Sequence, residues 1–162
     1  MKERFLDLYM DFALRSAKMS RAKRLQVGCV IVKDDNIISY SWNGTPKGWS
    51  NYCERNVFAS DEAGAWIDVG DIYPFENEFG QRYKLVTLPE VLHAEENALG
   101  KLAKGHASSE GATMFCTHSP CIHCSKMIHA AGITTVYYKS LYRDSLGIEF
   151  LEKCKVAVIK YK

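Results

Sequence analysis

The sequence predicts an α/β protein in which a five-stranded mixed sheet is covered by helices on both faces, giving three layers (α/β/α). A near-continuous apolar run precedes a turn of Asp and Asn, and apolar residues then alternate with serines, which indicates an antiparallel hairpin. Later, a helical pattern separates two β-branched segments, and a helical crossover makes such strands parallel. The expected strands are residues 27–32, 38–42, 112–116, 134–138 and 156–159.

Helical patterns precede and separate these strands. Apolar residues recur at helical spacing from Phe5 to Phe12 and predict an amphipathic first helix that packs on the core. A short helix is expected over 54–68, and the chain around 60–90 is expected to form an irregular insertion. Further helices are expected to begin near residues 93, 121 and 142. Residues 1–162 are expected to form a single domain.

Composition narrows the classes of function. A formal net charge of +2 over 162 residues argues against a dedicated nucleic-acid surface but permits one small phosphorylated ligand. The first residues lack a signal-peptide core and no apolar run is long enough to cross a bilayer, which indicates a cytoplasmic protein. Of six cysteines, four are scattered singly and are expected to be free thiols: Cys29, Cys53, Cys116 and Cys154.

Two short motifs carry the candidate chemistry. His93 and Glu95 stand two residues apart at the expected start of a helix. Downstream, the sequence Ser-Pro-Cys-Ile-His-Cys occupies 119–124, and its serine is a favoured N-cap, which places Cys121 in the first helical turn. A helix N-terminus favours the metal-binding thiolate. His93, Cys121 and Cys124 therefore form a candidate zinc site with a fourth position open, as in catalytic sites.

Other interpretations of the Cys-x-x-Cys motif are a redox pair, half of a structural zinc knuckle, or two buried thiols. A knuckle needs another Cys or His close by. His123 and His129 are candidates, but His123 lies between the two cysteines and is expected to point away from them. Glu95 favours the catalytic interpretation, because a carboxylate beside the metal can move a proton from water to a leaving group.

His-x-Glu followed by Pro-Cys-x-x-Cys is the signature of the zinc nucleobase deaminases, in which the glutamate shuttles protons and is not a ligand. The loop Asn-Gly-Thr-Pro-Lys-Gly at 43–48, followed by Cys53 and Glu54, resembles the corresponding loop of the deoxycytidylate (dCMP) deaminases. It differs from the usual pattern in cytidine and tRNA adenosine deaminases. The resemblance to the dCMP deaminase family runs from about Arg15 to the last residue.

This resemblance implies a cytidine deaminase-like fold, one catalytic Zn²⁺, and hydrolysis of dCMP to dUMP and ammonia, with dUMP supplied for thymidylate synthesis. Glu95 would be the catalytic proton shuttle. Asn43 would contact the sugar and Tyr142 would stack on the base. Asn97 and Ser119 would contact the nucleotide. Turn formation, packing and helix capping are the alternatives for these four contact residues.

The resemblance also implies a homohexamer that is activated by dCTP and inhibited by dTTP, with Mg²⁺ accompanying the triphosphate. Effector contacts would come from the loop and the basic segment before the first strand: Arg24, Gly44, Thr45, Lys47 and Gly48. An ordinary chain reversal beside a solvated basic face is the alternative. Some phage members carry the histidines of a second zinc site in the insertion. Residues 60–90 here contain no histidine, so no second zinc is expected.

Three other functions stay open on the sequence. The same chemistry could act on tRNA adenosine, free cytidine or guanine, although the loop at 43–48 favours dCMP. The fold could carry an inactive zinc-binding or DNA-uptake module, although Glu95 argues against this. A non-enzymatic regulator is the weakest alternative.

Overall fold

The structure of the chain, a computed structural model, describes residues 2–62 and 69–162. The helices are α1 (Glu3–Ala17), α2 (Ala59–Glu62), α3 (Val69–Ile72), α4 (Ala94–Leu102), α5 (Ile122–Ala130) and α6 (Leu146–Lys153). The strands are β1 (Gly28–Lys33), β2 (Asn36–Trp42), β3 (Glu54–Phe58), β4 (Phe75–Glu76), β5 (Arg82–Thr87), β6 (Thr113–His118), β7 (Thr135–Ser140) and β8 (Ala157–Lys160). Within these described ranges, no helix combines the length and apolarity needed to cross a membrane.

The central sheet has five strands in the order β2-β1-β6-β7-β8. Strand β1 pairs antiparallel with β2 and with β6, whereas β6, β7 and β8 run parallel. Helices α5 and α6 supply the crossovers between the parallel strands. The mixed five-stranded sheet predicted from the sequence is confirmed.

Side chains of β1 alternate between two cores, and this alternation produces the three layers. Val30 and Val32 pack with Phe115 against the apolar face of α1. Cys29 and Ile31 point to the other side and join a larger core with side chains from α4, α5 and α6. Helices therefore cover both faces of the sheet, as predicted.

Gly28 determines how closely α1 approaches β1. A Cβ atom at this position would lie 2.0 Å from the carbonyl oxygen of Ala13 and 2.6 Å from the backbone nitrogen of Ala17. Any larger residue would push the helix away from the sheet. The close approach also places Val27, the residue before the strand, in the wall of the cavity described below.

The helix predicted over 54–68 is replaced by a strand in its first part. Glu54–Phe58 is strand β3, which pairs antiparallel with β5, and the prediction was wrong there. Helix α2 covers Ala59–Glu62, and residues 63–68 lie outside the described ranges. The pairing partner of β3 lies far along the chain, so the pairing leaves no trace in local periodicity.

The chain around 60–90 also differs from the irregular insertion that the sequence predicted. Strand β5 pairs with both β3 and β4, which gives a second, three-stranded antiparallel sheet of order β3-β5-β4. Asn77 closes the turn between β4 and β5, because its Oδ1 accepts hydrogen bonds from the backbone N–H groups of Phe79 and Gln81. This second sheet supplies side chains to the site.

Candidate active site

Two helix N-termini carry the predicted metal ligands. His93 is the N-cap of α4, and Glu96 in the first turn accepts a hydrogen bond from the His93 backbone N–H at 2.7 Å. Cys121 is the N-cap of α5, and its Sγ accepts a hydrogen bond from the Cys124 backbone N–H at 3.5 Å. The partial positive charge of both helix ends favours anionic groups at this place.

The predicted cap of α5 was wrong. Serine is normally the better capping residue, yet the helix begins at Ile122 and Cys121 caps it. The hydroxyl oxygen of Ser119 instead accepts a hydrogen bond from the backbone N–H of Tyr142 at 2.8 Å. This bond ties the end of β6 to the loop after β7, a long-range contact that capping preference cannot reveal.

The ligand atoms are spaced as zinc requires. His93 Nδ1 lies 3.6 Å from Cys121 Sγ and 3.3 Å from Cys124 Sγ, and the three atoms lie within 4.8 Å of one another. Tetrahedral zinc bonds of ordinary length would separate an imidazole nitrogen from a thiolate sulfur by about 3.5 Å. One imidazole and two thiols are also a usual donor set for zinc, so these residues fit the ion.

The three ligands hold their protons unequally in the absence of a metal ion. A hydrogen bond from Cys124 lowers the pKa of Cys121 to about 3, and the same pairing raises the pKa of Cys124. The hydrogen bond with Cys121 raises the pKa of His93 to about 9, against the opposing effect of burial. Near neutral pH, metal binding therefore releases protons from His93 and Cys124, while Cys121 is already a thiolate, and metal affinity falls in acid.

Glu95 lies on the same helical turn as His93, and only 4% of its surface is exposed. Burial raises the pKa of this carboxyl group from 4.5 to about 7, while a backbone hydrogen bond and the charge of His93 oppose the rise. A group with a pKa near neutrality can both accept and donate a proton at physiological pH. Burial thus brings the pKa of Glu95 into the range that proton transfer at physiological pH requires, and its catalytic role stays a prediction.

A cavity of about 460 Å³ connects these groups to cationic side chains. His93, Glu95 and Cys121 line it, and so do Arg24 and Arg143. Guanidinium groups form strong, often bidentate contacts with phosphate. The cavity therefore joins a candidate zinc centre to groups that suit a small anionic ligand.

The structure brings Asn43, Ser119 and Tyr142 to the cavity wall, where the sequence predicted substrate contacts. Asn43 already uses both ends of its amide: Oδ1 accepts from the Val27 N–H at 2.8 Å, and Nδ2 donates to the Leu25 carbonyl at 2.9 Å. These two bonds hold residues 25–27, the segment before β1, in place. A contact with the sugar would use the remaining hydrogen-bonding capacity of the Asn43 amide.

Asn97 is not among the residues that line the cavity. Its side-chain amide donates to the Trp42 carbonyl at 3.2 Å, which links α4 to the end of β2. A residue four positions after His93 lies one helical turn further from the helix N-terminus. The nucleotide contact of Asn97 stays a prediction.

Only one of the predicted effector residues lines this cavity. Arg24 does so together with Glu95, and its Nη1 donates to Thr87 Oγ1 at 2.8 Å; its contact with an effector stays a prediction. Gly44, Thr45, Lys47 and Gly48 do not line this cavity. The backbone N–H of Gly44 donates to the Leu92 carbonyl at 3.1 Å and is therefore already occupied.

Four polar or charged residues of the cavity lining are not among the site residues predicted from the sequence: Glu54, Thr87, His118 and Arg143. The second sheet provides Glu54 and Thr87. Glu54 Oε1 accepts hydrogen bonds from the backbone N–H groups of Lys23 and Arg24 at 3.0 and 3.1 Å. The acidic residue after Cys53 was a signal for Glu54, whereas only the pairing of β3 with β5 reveals Thr87.

An imidazole and two thiols bind metal ions in many proteins. A glutamic acid buried beside them on this fold is characteristic of the zinc-dependent nucleobase deaminases. The family model for the cytidine and deoxycytidylate deaminase zinc-binding region matches residues 3–140. The chain belongs to this family.

Individual relatives agree with this assignment. A deoxycytidylate deaminase of Schizosaccharomyces pombe is 30% identical over 154 residues, which are 94% of this chain but 42% of the yeast protein. A human deoxycytidylate deaminase is 32% identical, with 96% of this chain and 84% of the human protein covered. The chain thus spans less than half of the yeast relative.

One solved structure is similar over the whole length. It is the crystal structure of dCMP deaminase from the cyanophage S-TIM5 in complex with dCMP and dUMP, with a TM-score of 0.79 and 40% identity. The match covers 99% of each chain. The fold predicted from the sequence is therefore also the fold of a dCMP deaminase.

Proposed function

We propose that this chain catalyses the hydrolytic deamination of dCMP to dUMP with release of ammonia, and so supplies dUMP for thymidylate synthesis. The observation that carries the proposal is the buried Glu95 beside His93 and Cys121 in a cavity that also contains Arg24 and Arg143. The similar cyanophage protein, which binds dCMP and dUMP, supports the choice of nucleotide.

His93, Cys121 and Cys124 hold the zinc ion in this proposal. When bound, zinc supplies the Lewis acidity that makes water acidic enough to act as a nucleophile near neutral pH. Glu95 accepts a proton from the water that adds to C4 of cytosine, delivers it to N3, and later moves a proton to the departing amine. Its pKa of about 7 suits both directions of transfer.

The arginines of the cavity bind the 5′ phosphate in this proposal. Arg24 is held by Thr87 and by the contact of its backbone with Glu54, so its guanidinium is partly oriented before substrate enters. Arg143 lies over the ring of Tyr142, with its guanidinium carbon 4.9 Å from the ring centroid. Tyr142 stacks on the base, and Ser119 and Asn43 complete the nucleotide contacts.

The function is tested by ammonia release from dCMP, cytidine, guanine and tRNA in parallel. Glu95→Gln should keep zinc and fold while losing several orders of magnitude in turnover, because the proton shuttle is removed and the ligands are not. Cys121→Ala and Cys124→Ala should lose the metal. Near-normal turnover in zinc-loaded Glu95→Gln, or no activity of the native chain on dCMP, would overturn the proposal.

Regulation is a further part of the proposal. The chain forms a homohexamer, with dCTP plus Mg²⁺ as activator and dTTP as inhibitor. The exposed Lys47 in the loop 44–49 contacts the effector, and Gly48 with φ +94 allows the tight turn of this loop. Lys47→Ala should weaken the response to dCTP and dTTP while basal dCMP turnover is kept. A monomeric chain with hyperbolic kinetics in all conditions would contradict this part alone.

A further inference from the structure

Glu96 contacts both helices that carry the candidate zinc ligands. Its Oε2 accepts a hydrogen bond from the backbone N–H of His93 at 2.7 Å. Its Oε1 lies 2.9 Å from Nε2 of His123. Glu96 belongs to α4 and His123 to α5, so a single carboxylate bridges the first turns of the two helices.

The proposed chemistry uses neither Glu96 nor His123. Within the described residues, the candidate metal ligands are His93, Cys121 and Cys124, and His123 is not one of them. Neither residue of the pair lines the cavity. The side chain of His123 is 67% exposed and that of Glu96 is 19% exposed. A pair this exposed adds little to overall stability, so its contribution is local geometry.

We propose that Glu96 and His123 are positioning residues for the zinc site. Glu96 fixes the backbone of His93, whose Nδ1 must approach Cys121 Sγ and Cys124 Sγ closely. His123 carries this restraint to the helix that bears both cysteines, because it is the residue immediately before Cys124. The pair therefore sets the distance between the imidazole and thiol ligands before the metal binds.

The relevant measurement is zinc affinity, by competition with a chelator at fixed pH and without nucleotide. Removing groups that orient metal ligands typically weakens metal binding by about 10–100-fold. Glu96→Ala should weaken zinc binding by an amount within this range. His123→Ala should weaken it by an amount near the lower end, because Glu96 keeps its hydrogen bond to His93 in that variant. Glu96→Gln should stay within about threefold of the native chain, because an amide can still accept from His93 and donate to His123.

A double-mutant cycle separates positioning from general damage. The Glu96→Ala/His123→Ala variant should bind zinc no more weakly than Glu96→Ala, because His123 acts through Glu96. His129→Ala, the same substitution later in α5, should leave affinity unchanged. The unfolding midpoint of the chelator-treated chain should change little in His123→Ala.

The inference rests on the zinc site of the proposed function and not on the nucleotide. It is overturned if Glu96→Ala and His123→Ala both bind zinc within threefold of the native chain, or if their effects are additive. Should Glu96→Ala fail to fold, the comparison of His123→Ala with His129→Ala decides alone. Failure of the native chain to bind zinc would overturn the proposed function instead.

Discussion

At the scale of single residues, Glu95 combines a chemical advantage with a cost in stability. Its carboxyl group is almost completely buried, and burial raises its pKa to about 7. A raised pKa means that the folded state binds this proton more tightly than the unfolded state. Between pH 4.5 and about 7, the carboxyl group of Glu95 is therefore mostly ionised in the unfolded chain but mostly protonated in the folded chain. The contribution of Glu95 to the free energy of unfolding falls as pH rises through this range.

Glu95→Gln should consequently stabilise the chelator-treated chain, and more so in alkali. A shift from 4.5 to about 7 corresponds to about 3 kcal/mol at pH 8, and most of it is absent at pH 5. The measurement is urea denaturation of both chains at the two pH values, with chelator and reductant present. Titrating groups that do not interact with Glu95 cancel in the difference between the chains, whereas the pKa of His93 also depends on the Glu95 charge. An equal difference at both pH values would show that Glu95 is not perturbed by burial.

Residues defined by short motifs could be predicted, and residues defined by distant contacts could not. The sequence places His93, Cys121 and Cys124 together because two helix N-termini with the right spacing are a local property. The position of Arg24 in the cavity wall could not be predicted, because its contact with Thr87 joins two segments that are far apart in sequence.

At the scale of elements, α6 packs directly on the loop that carries Cys121. A Cβ atom on Gly147 would lie 2.0 Å from the Pro120 carbonyl oxygen and 2.9 Å from the Cys121 carbonyl carbon. Both contacts are with backbone atoms, which cannot move without moving the ligand. The first turn of α6 therefore supports the position of Cys121.

Gly147→Ala should lower both stability and zinc affinity, because either α6 or the Cys121 loop must shift. Overpacking of this kind typically costs about 1–3 kcal/mol. Gly100→Ala is a matched control at an exposed position of α4, where a new Cβ meets nothing within 4 Å. That change should stabilise the chain by about 0.5–1 kcal/mol, because alanine is the better helix former. Thermal unfolding and zinc content of both variants test the contrast.

Elements with strong periodicity matched their predictions, and elements that depend on pairing did not. The hairpin, the parallel strands and the first helix follow from patterns within a few neighbouring residues. Strand β3 has the sequence Glu-Arg-Asn-Val-Phe, which shows little alternation and resembles a helix start. Only its pairing with β5 makes it a strand.

At the scale of the whole molecule, the two sheets contribute different parts of the site. His93, Cys121 and Cys124 lie on helices packed on the five-stranded sheet, whereas Glu54 and Thr87 come from the three-stranded sheet. The second sheet thus lines the cavity with Glu54 and Thr87, and Thr87 also holds the side chain of Arg24 by one hydrogen bond at 2.8 Å.

Thr87→Val should raise the KM for dCMP while leaving zinc content unchanged. Valine keeps the shape of threonine but loses the hydroxyl that accepts from Arg24, and a hydrogen bond to a charged group is typically worth about 1.5–3 kcal/mol. About tenfold or more in KM is expected, and Arg24→Ala should have a larger effect. Thr134→Val, remote from the cavity lining, is the control. Deoxycytidine lacks the phosphate, so its turnover should change little, and an equal loss for both substrates would contradict this role of Arg24.

The division between the two sheets has a consequence for how the protein could be altered, in evolution or in the laboratory. Glu54 and Thr87 are the residues of 54–58 and 82–87 that line the cavity, so substitutions there change its wall beside Arg24. The metal-holding helices do not depend on those strands for their core. Libraries confined to these two strands should therefore yield variants with new nucleotide preferences on an unchanged catalytic centre. Libraries confined to α4 or α5 should mostly yield inactive chains.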